Sequence, residues 1–466
     1  MMKSRLRYSA GFIIAAILSL LFALTYRQAF SDDLADHPGN RRALIEEMTV
    51  DRGDIYAADG TILATSRPQG GGYRREYPRG AAFAAATGYY SPTRGRSGIE
   101  AGENAWLTGR RHFSSWQDWY NSLANRHRRG FDITLSIRPE LQNKAWDLLA
   151  GRRGAVVVLN PATGAVLAIA GRPSYDPNLI ESDWHNIAGV EGLLVNRASQ
   201  GRYPPGSTFK IITTAGALSS GVAKPTSVYD GPAVLPVYGG KVTNFADQDQ
   251  GRMTLEKAFT KSTNTIFAQV GLDLGAARLV GAAQDFGFNS QPPFDLPAAT
   301  SLIPEAASMD KVMTAWTAVG QGRTLATPLQ MALTAAAIGE GGKIYRPWLT
   351  EFVRDYEGGV RYQARPRLWR RATDAATAAK VKKMMAAAVK DGTGRAAWLQ
   401  AVAVAGKTGT AEVGGGKPPH AWFVGFAPAD HPKVAVAVLV ENGGLGGRTA
   451  APIAKEIFKT ALKVDH

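Results

Sequence analysis

The apolar residues are grouped in distinct runs along the chain, and the first of these runs predicts a membrane anchor. An uncharged run of 19 residues lies between Arg7 and Arg27. A helix rises about 1.5 Å per residue, so this run would extend roughly 28 Å, the thickness of a bilayer core. The basic residues before it favour a cytoplasmic N-terminus. No A-x-A cleavage site follows, so we predict an anchor at residues 1–30 rather than a signal peptide, with the remaining chain outside the cell membrane.

The next segment contains short strand-like runs and predicts a small α+β module. Residues 31–45 are polar, and residues 46–130 carry turn signals such as Asp59-Gly60. From Arg138 to Leu149 the apolar residues recur at helical spacing, which predicts an amphipathic helix. We therefore place a non-catalytic module at residues 31–153.

Continuous apolar runs begin the last and largest segment. Ala155–Leu159 and Ala165–Ala170 flank the turn Asn160–Gly164, which predicts a buried hairpin. The region from about 205 to 340 is rich in alanine and helical in pattern. Strand-like runs return later at Val402–Val413, Trp422–Ala427 and Val434–Val440, and a helix is expected at Pro452–Leu462. This order predicts one α/β (α+β) domain at residues 154–466, with a central antiparallel sheet flanked by helices.

Composition limits the chemistry. The chain has 466 residues, of which 45% are hydrophobic and 20% charged, as is typical of a folded globular protein. It contains no cysteine, which excludes disulfides, thiolate metal sites and a cysteine nucleophile. None of the seven histidines has metal-ligand spacing, so we expect no cofactor and no metal.

The net charge of +15 first suggests an anionic partner. However, residues 1–30 carry +4 of it, and the +8 of residues 154–466 is spread over a long segment. The densest basic groups are Arg126, Arg128 and Arg129, and Arg365, Arg367, Arg370 and Arg371. Because no aromatic-studded basic repeat accompanies them, we predict solvated surface, with lipid or polyanion contact as the alternative, and no nucleic-acid partner.

Three short motifs lie in order within residues 154–466. The first is Tyr203-Pro-Pro-Gly-Ser-Thr-Phe-Lys, in which Ser207 can open a helix and Lys210 shares its face. A serine hydroxyl needs a base, and a lysine with a lowered pKa can serve. The helix N-terminus also offers N–H groups to a developing oxyanion. We therefore predict Ser207 as the nucleophile and Lys210 as its base.

The second motif, Ser262-Thr263-Asn264, lies between two helical patterns. Ser262 can relay a proton to a leaving group, and the carboxamide of Asn264 can hold a substrate amide. Alone, the motif is equally typical of a helix cap, just as Lys210 alone is typical of a solvated helix face.

The third motif is Lys407-Thr408-Gly409-Thr410, which follows a strand-like run. Lys407 can supply charge beside Ser262 and help to keep the first lysine neutral by like-charge repulsion. Gly409 lets a substrate backbone approach the strand edge, and Thr408 and Thr410 can bind a carboxylate. Simple strand alternation conflicts with this grouping, because it puts Lys407 and Gly409 on one face and both threonines on the other.

The ordered set of S-x-x-K, S-x-N and K-T-G resembles that of serine β-lactamases and penicillin-binding proteins. Over about residues 41–462 the chain is more similar to the class B (monofunctional) penicillin-binding proteins. This similarity rests on further segments: Arg52–Ile55, Asp59-Gly60, Leu63-Ala64, Tyr77–Gly80, Gly88-Tyr89, Gly95–Glu100, Asn160–Gly164, Tyr175–Asn178, Ala326–Gln330 and His420–Phe423. The stretch from Asp33 to Arg52 most resembles the actinobacterial members.

The resemblance implies the β-lactamase/penicillin-binding transpeptidase fold, in which an all-α subdomain adjoins the antiparallel sheet. It implies a peptidoglycan D,D-transpeptidase whose Ser207 attacks the D-Ala-D-Ala amide of a stem peptide and releases D-alanine. Lys210 would act as the base, and backbone N–H groups of Ser207 and Thr410 would form the oxyanion hole. A neighbouring stem amine would resolve the acyl-enzyme, and β-lactam antibiotics would trap it.

The remaining roles implied by the resemblance fall on the second and third motifs. Ser262 and Lys407 would pass protons, and Asn264 would orient the donor peptide. Thr408 and Thr410 would hold its terminal carboxylate. A role for His420, either direct or as a structural hydrogen bond, stays open.

Other functions stay open as well. A D,D-carboxypeptidase or a β-lactamase of this fold would share the acyl-enzyme, and the sequence neither shows nor excludes a base for a deacylating water. A non-catalytic β-lactam-binding scaffold or sensor would keep the motifs, although we expect no sensor output domain in residues 1–7. The segment before residue 154 is too short for a separate glycosyltransferase, so the resemblance implies a SEDS-type glycan polymerase as membrane partner.

Overall fold

The structure, a computed structural model, describes residues 11–24, 48–109 and 129–463. Its strands are β1 Ile55–Tyr56, β2 Ile62–Gln69, β3 Gly72–Glu76, β4 Tyr90–Ser91, β5 Gly95–Arg96, β6 Asp132–Leu135, β7 Gly154–Leu159, β8 Val166–Arg172, β9 Val228–Gly231, β10 Val234–Val237, β11 Gly240–Thr243, β12 Gly251–Thr254, β13 Lys343–Tyr345, β14 Thr350–Arg354, β15 Val360–Gln363, β16 Leu368–Arg371, β17 Ala405–Ala411, β18 His420–Ala427 and β19 Val434–Val440. Its α-helices are α1 Gly11–Leu24, α2 Ala84–Thr87, α3 Gly98–Gly102, α4 Asn104–Leu107, α5 Pro139–Leu148, α6 Trp184–Gly189, α7 Lys210–Ser219, α8 Leu255–Lys261, α9 Asn264–Leu274, α10 Ala276–Asp285, α11 Lys311–Ala318, α12 Pro328–Gly339, α13 Ala375–Lys390 and α14 Gly446–Leu462.

A five-stranded antiparallel sheet forms the centre of the larger domain, as predicted. Its strand order is β17-β18-β19-β7-β8, so the early hairpin and the three late strands meet in one sheet. Every residue of β7 and β19 is buried, because α5 and α14 cover one face and α12 covers the other. The closing helix α14 begins earlier than predicted, at Gly446. Strand β17, which carries the third motif, lies at one edge of the sheet.

The helical region between residues 205 and 340 contains α7 to α12, but it is not all-α as predicted. Two β-ribbons also lie there, β9 with β12 and β10 with β11. Strands of four residues are too short for period-two alternation to stand out in an alanine-rich sequence. Packing against helices supplies the stability instead, since Val237 and Val242 are buried against Ala268 of α9 and Ala315 of α11.

The N-terminal module is built on a six-stranded sheet with the order β15-β14-β6-β1-β2-β3. Strands β14 and β15 come from the later part of the chain, so this sheet draws on both sides of residue 153. The buried carboxylate of Glu100 lies 2.7 Å from Arg52 and 2.6 Å from Arg75. Burial alone would raise the pKa of Glu100, but the charges of Arg75 and Arg52 outweigh it and lower that pKa.

The N-terminal apolar run is described only in part. Helix α1 is apolar but short, and within the described ranges no single helix is both long and apolar enough to cross a bilayer. One bent pair, α9 with α10, which turns by 99° at its break, meets that standard by length and composition. The basic flank at residues 1–7, and Arg126 and Arg128, which were predicted to lie on a solvated surface, fall outside the described residues.

Candidate active site

Ser207 lies in a 3-10 turn, Gly206–Phe209, directly ahead of α7, rather than in the first turn of an α-helix as predicted. Gly206 has φ +53, a conformation that favours glycine, and a Cβ there would lie 3.1 Å from the side chain of Ala411. The backbone N–H of Gly206 donates to Gly320 O at 2.9 Å. The nucleophile turn is therefore pressed against β17, with Ser207 half-buried.

Strand β18 braces the residues just before this turn. The indole Nε1–H of the fully buried Trp422 donates to Pro204 O at 2.9 Å. The Thr208 hydroxyl donates to Pro205 O at 2.6 Å, which closes the loop onto the turn. These two side-chain donors fix the backbone just before Ser207.

Lys210 is fully buried beside the second motif. Its Nζ lies 2.7 Å from Ser262 O, 2.7 Å from Asn264 Oδ1 and 3.3 Å from Ser262 Oγ. Burial and, second, the charge of Lys407 hold the pKa of Lys210 well below that of an ordinary lysine. A neutral amine has two N–H donors, which match the two short contacts, and its lone pair stays available to accept a proton.

Ser262 connects the two lysines. It caps α8 with φ 63 and ψ 37, a left-handed conformation that costs a serine about 1 kcal/mol or more. This turn directs the chain into α9 and places Ser262 Oγ 2.8 Å from Lys407 Nζ, which donates to it. Lys407 is fully buried, and burial lowers its pKa to about 7. The structure therefore brings Lys210, Ser262 and Lys407 into one hydrogen-bonded chain.

Asn264 has a fixed orientation at the start of α9. Its Oδ1 accepts from Lys210, and its Nδ2 donates to Thr243 O at 2.9 Å. One Nδ2 hydrogen is left for a ligand, which suits the predicted contact with a substrate amide. Within the described residues Ser207 Oγ makes no hydrogen bond. The nucleophile is therefore not part of the hydrogen-bonded chain formed by Lys210, Ser262 and Lys407.

The third motif shows a different use of glycine from the one predicted. A Cβ at Gly409 would lie 2.9 Å from Pro205 O and 3.0 Å from the Thr208 methyl group. Glycine at position 409 thus allows the nucleophile turn to pack on β17. This requirement for glycine is separate from the predicted one, which is access for a substrate backbone. On the other face, Thr408 Oγ1 lies 2.6 Å from Thr393 Oγ1, and Thr410 Oγ1 accepts from Gly446 N at 3.3 Å. The predicted alternation holds, so the structure does not bring the hydroxyls of Thr408 and Thr410 to the face of Lys407 and Gly409, and a ligand reaches them at the open edge of β17.

A charged network near the site has no counterpart in the sequence-based predictions. Glu441, just past β19, accepts from Tyr203 Oη at 2.8 Å, from Arg197 Nε at 3.0 Å and from Arg153 Nε at 3.1 Å. Burial opposes ionisation, but the hydrogen bonds from Tyr203 and Arg153 and the nearby charges lower the pKa of Glu441. The network anchors Tyr203, four residues before Ser207. In the sequence, the signal for this network was a single acidic residue, Glu441, directly after an apolar strand-like run.

His420 lies beside this network, at the start of β18. Its Nδ1 accepts from Asn442 N at 3.0 Å, and its ring meets that of Tyr203 edge-on at 5.5 Å. Burial lowers the pKa of His420. These contacts match the structural alternative for this residue, a hydrogen bond that fixes the turn after β19.

Comparison with known families agrees with this geometry. The penicillin binding protein transpeptidase domain family matches residues 154–459. The penicillin binding protein A dimerisation domain family matches residues 52–133. The chain therefore belongs to the class B penicillin-binding proteins with a transpeptidase domain.

Individual relatives point to the same branch. The chain is 36% identical over 493 residues to the peptidoglycan D,D-transpeptidase PbpA of Mycolicibacterium smegmatis, and 99% of each chain is covered. It resembles the structure of penicillin-binding protein A from M. tuberculosis as a ceftriaxone acyl-enzyme, with a TM-score of 0.83, 36% identity, and 90% of this chain and all of the other covered. The structure of Pseudomonas aeruginosa PBP2 in complex with WCK 5153 is also similar, with a TM-score of 0.77, 32% identity, and coverage of 90% and 97%.

Proposed function

We propose that this chain is a peptidoglycan D,D-transpeptidase that cross-links stem peptides through an acyl-enzyme on Ser207. The observation that carries the assignment is the chain of Lys210, Ser262 and Lys407, two buried lysines that share one serine hydroxyl beside the nucleophile turn. A buried lysine with a lowered pKa is a base near neutral pH, which a surface lysine is not.

In the first half-reaction, Ser207 Oγ attacks the carbonyl carbon of the D-Ala-D-Ala amide while Lys210 Nζ takes the hydroxyl proton. The oxyanion receives hydrogen bonds from the backbone N–H groups of Ser207 and Thr410. The turn and the strand that carry these groups are in contact, since a Cβ on Gly206 would lie 3.0 Å from Thr410 O. The C–N bond then breaks, and D-alanine leaves with a proton that Ser262 passes to its amine.

In the second half-reaction, an amine of a neighbouring stem peptide attacks the ester carbon. The new C–N bond forms, the bond to Ser207 Oγ breaks, and the proton of the amine returns to Ser207 through the same groups. Lys407 replenishes Ser262 through the 2.8 Å contact of its Nζ with Ser262 Oγ. The proton that Lys210 took from Ser207 passes through Ser262 to Lys407, so both lysines end in their starting states. Thr408 and Thr410 bind the donor carboxylate, and Asn264 holds its amide through the free Nδ2 hydrogen.

Mass spectrometry of the intact protein after incubation with penicillin tests this assignment, with peptide mapping of the adduct. We expect one adduct on Ser207 that lasts many minutes. Ser207→Ala abolishes it, whereas Ser219→Ala on the following helix, whose hydroxyl bonds only Gly216 O in the described structure, keeps it. An adduct on another residue would overturn the role of Ser207, and rapid release of hydrolysed penicillin would indicate a β-lactamase.

Two further assays separate the remaining alternatives. Purified protein with a stem pentapeptide and an acceptor amine is expected to form cross-linked dimers, and free tetrapeptide as the sole product would indicate a carboxypeptidase. In cells that depend on this chain, Ser207→Ala is expected to fail to support growth. Full growth with that variant would indicate a non-catalytic scaffold.

We also propose that residues 1–30 anchor the chain in the cell membrane and that the modules at 31–153 and 154–466 lie outside. Support comes from α1, on which Phe12 is 77% and Leu20 is 62% exposed, as suits contact with lipid. Because the chain lacks cysteine, single cysteines can report topology. An impermeant maleimide is expected to label Ser182→Cys, but not Ser4→Cys, in intact cells; the opposite pattern would overturn the orientation.

A SEDS-type glycan polymerase is the proposed membrane partner, and family resemblance is its support. The described residues before 154 form a small sheet-based module, which leaves polymerisation to another protein. Purification in mild detergent is expected to retain the polymerase with both wild-type protein and Ser207→Ala, because the contact does not need catalysis. Glycan synthesis by the purified chain alone would contradict the proposal.

A further inference from the structure

Thr393 lies outside the three motifs, yet its hydroxyl contacts the third. It sits in the loop Gly392–Gly394 after α13, and its Oγ1 is 2.6 Å from Thr408 Oγ1. Thr408 is only 5% exposed, whereas Thr393 is an exposed residue, so the bond joins a surface loop to a buried hydroxyl. Neither hydroxyl makes another hydrogen bond within the described ranges, which leaves the two as an isolated pair.

The backbone fixes the position of Thr393 from two sides. A Cβ on Gly392 would lie 2.3 Å from Thr260 O, which belongs to the last turn of α8 before Ser262. A Cβ on Gly447 would lie 2.6 Å from Thr393 O, at the start of α14. The loop is therefore wedged between the second motif and α14, and Thr393 cannot withdraw from Thr408 without moving one of them.

The direction of the hydroxyl bond depends on what binds Thr408. A hydroxyl has one hydrogen and two lone pairs, so one member of the pair donates and the other keeps its hydrogen free. If Thr408 donates to Thr393, it has no hydrogen for a ligand. If Thr393 donates, the hydrogen of Thr408 can point to an anion, and a bound carboxylate selects this second arrangement because charge-assisted bonds are stronger.

We propose that Thr393 is a positioning residue for the donor carboxylate. It donates to Thr408 Oγ1, turns the Thr408 hydrogen toward the carboxylate and polarises that bond, since hydrogen bonds in a chain strengthen one another. This inference rests on the proposed function, because it takes from it the binding of the carboxylate by Thr408. Thr393 itself does not touch the reacting atoms.

The test compares acylation by penicillin G with acylation by its methyl ester, which lacks the charged carboxylate. Thr393→Val removes the hydroxyl at nearly constant volume. We expect it to lower the second-order acylation constant for penicillin G about tenfold, the scale of one lost hydrogen bond to a charged system, and to change that for the ester less than about twofold. Thr393→Ser is expected to restore acylation by the acid, and Thr460→Val, which removes a hydroxyl bonded to Glu456 O far along α14, to change neither.

A double-mutant cycle adds a second measurement. Because Thr393 acts through Thr408, adding Thr393→Val to Thr408→Val is expected to cause no further loss with penicillin G. Equal losses for acid and ester, or additive losses in the cycle, would overturn the inference and leave a structural role. If the Thr393→Val protein does not fold, Thr393→Ala replaces it. The ratio of its acylation constants for penicillin G and the methyl ester is then interpreted in the same way. Failure of wild-type protein to acylate Ser207 would instead reject the proposed function itself.

Discussion

Replacing Lys407 with methionine is expected to make the protein more stable while it slows acylation. The pKa of an ordinary lysine is about 10.4, and burial lowers that of Lys407 to about 7. A protonated lysine therefore pays a desolvation penalty on folding that methionine, similar in length and apolar, does not. The hydrogen bonds of Lys407 to Ser262 Oγ and Thr408 O reduce this difference only in part.

The size of the effect follows from the proton balance. At pH 7 the shift in pKa corresponds to about 4 kcal/mol of lost stability, and we expect Lys407→Met to recover about 2–4 kcal/mol of it. Between about pH 7 and pH 10 the unfolded chain binds more protons than the folded one, so this contribution to stability rises with pH. From pH 7 to pH 9 the gain is about 2 kcal/mol, and below pH 7 the penalty is complete and constant.

Denaturation curves at several pH values, followed by tryptophan fluorescence, measure both quantities. The difference between wild type and Lys407→Met reports Lys407 together with its effect on the pKa of Lys210, because the carboxylates contribute equally to both proteins. Lys261→Met, which removes an exposed lysine at the end of α8, serves as the control and is expected to leave the pH dependence unchanged. If Lys407→Met were less stable than wild type at pH 7, or if the difference did not shrink toward pH 9, the reasoning would be refuted.

Three other predictions address the site and its support. Glu441→Gln leaves Arg197, only 4% exposed, without its partner charge; we expect a loss of about 3 kcal/mol, seen as a lower melting temperature, and an unchanged melting temperature would contradict it. Gly409→Ala places a Cβ 2.9 Å from the backbone of the nucleophile turn, so acylation is expected to fall about tenfold or more in a folded protein, as circular dichroism can verify, while wild-type rates would count against this packing. Acylation is expected to fall at low pH as Lys210 becomes protonated, and in Lys407→Met this acid limb should move to higher pH because the charge that lowers the pKa of Lys210 is gone; a limb that stays in place would show that burial alone sets it.

The central sheet could be predicted because its strands are buried on both faces. Such strands appear as continuous apolar runs, and Ala155–Leu159 and Val434–Val440 need no knowledge of their neighbours to be recognised. The ribbons β9–β12 and β10–β11 could not be predicted in this way. The first ribbon packs on α8 and α9 and the second on α9 and α11, and a strand of four residues is too short to show a clear period. The use of β14 and β15 in the N-terminal sheet is likewise a long-range pairing.

The same distinction applies to the site. The residues within the three motifs could be predicted because the reaction requires particular side chains a few positions apart. The structure joins four of them by hydrogen bonds: Lys210, Ser262, Asn264 and Lys407. Residues that only support them gave no such signal. Glu441 and Arg197 are 244 positions apart, and Thr393 meets Thr408 across a loop. The role of Gly409 in packing also depends on a turn two hundred residues earlier in the chain.

The arrangement of the site has a consequence for its stability. Ser262 belongs to the helical region and Lys407 to the edge of the sheet, so their hydrogen bond exists only when these two parts are docked. Two buried lysines and a left-handed serine all oppose that docking, and apolar packing around Trp422 and Phe209 must offset them. An edge strand held against a destabilised partner can separate without loss of the remaining sheet. We therefore expect amide hydrogens of β17 to exchange faster than those of β19 in free wild-type protein, and to become protected in Lys407→Met, which removes one of the opposing terms. Equal protection of the two strands in wild type would show that the docking is as stable as the core.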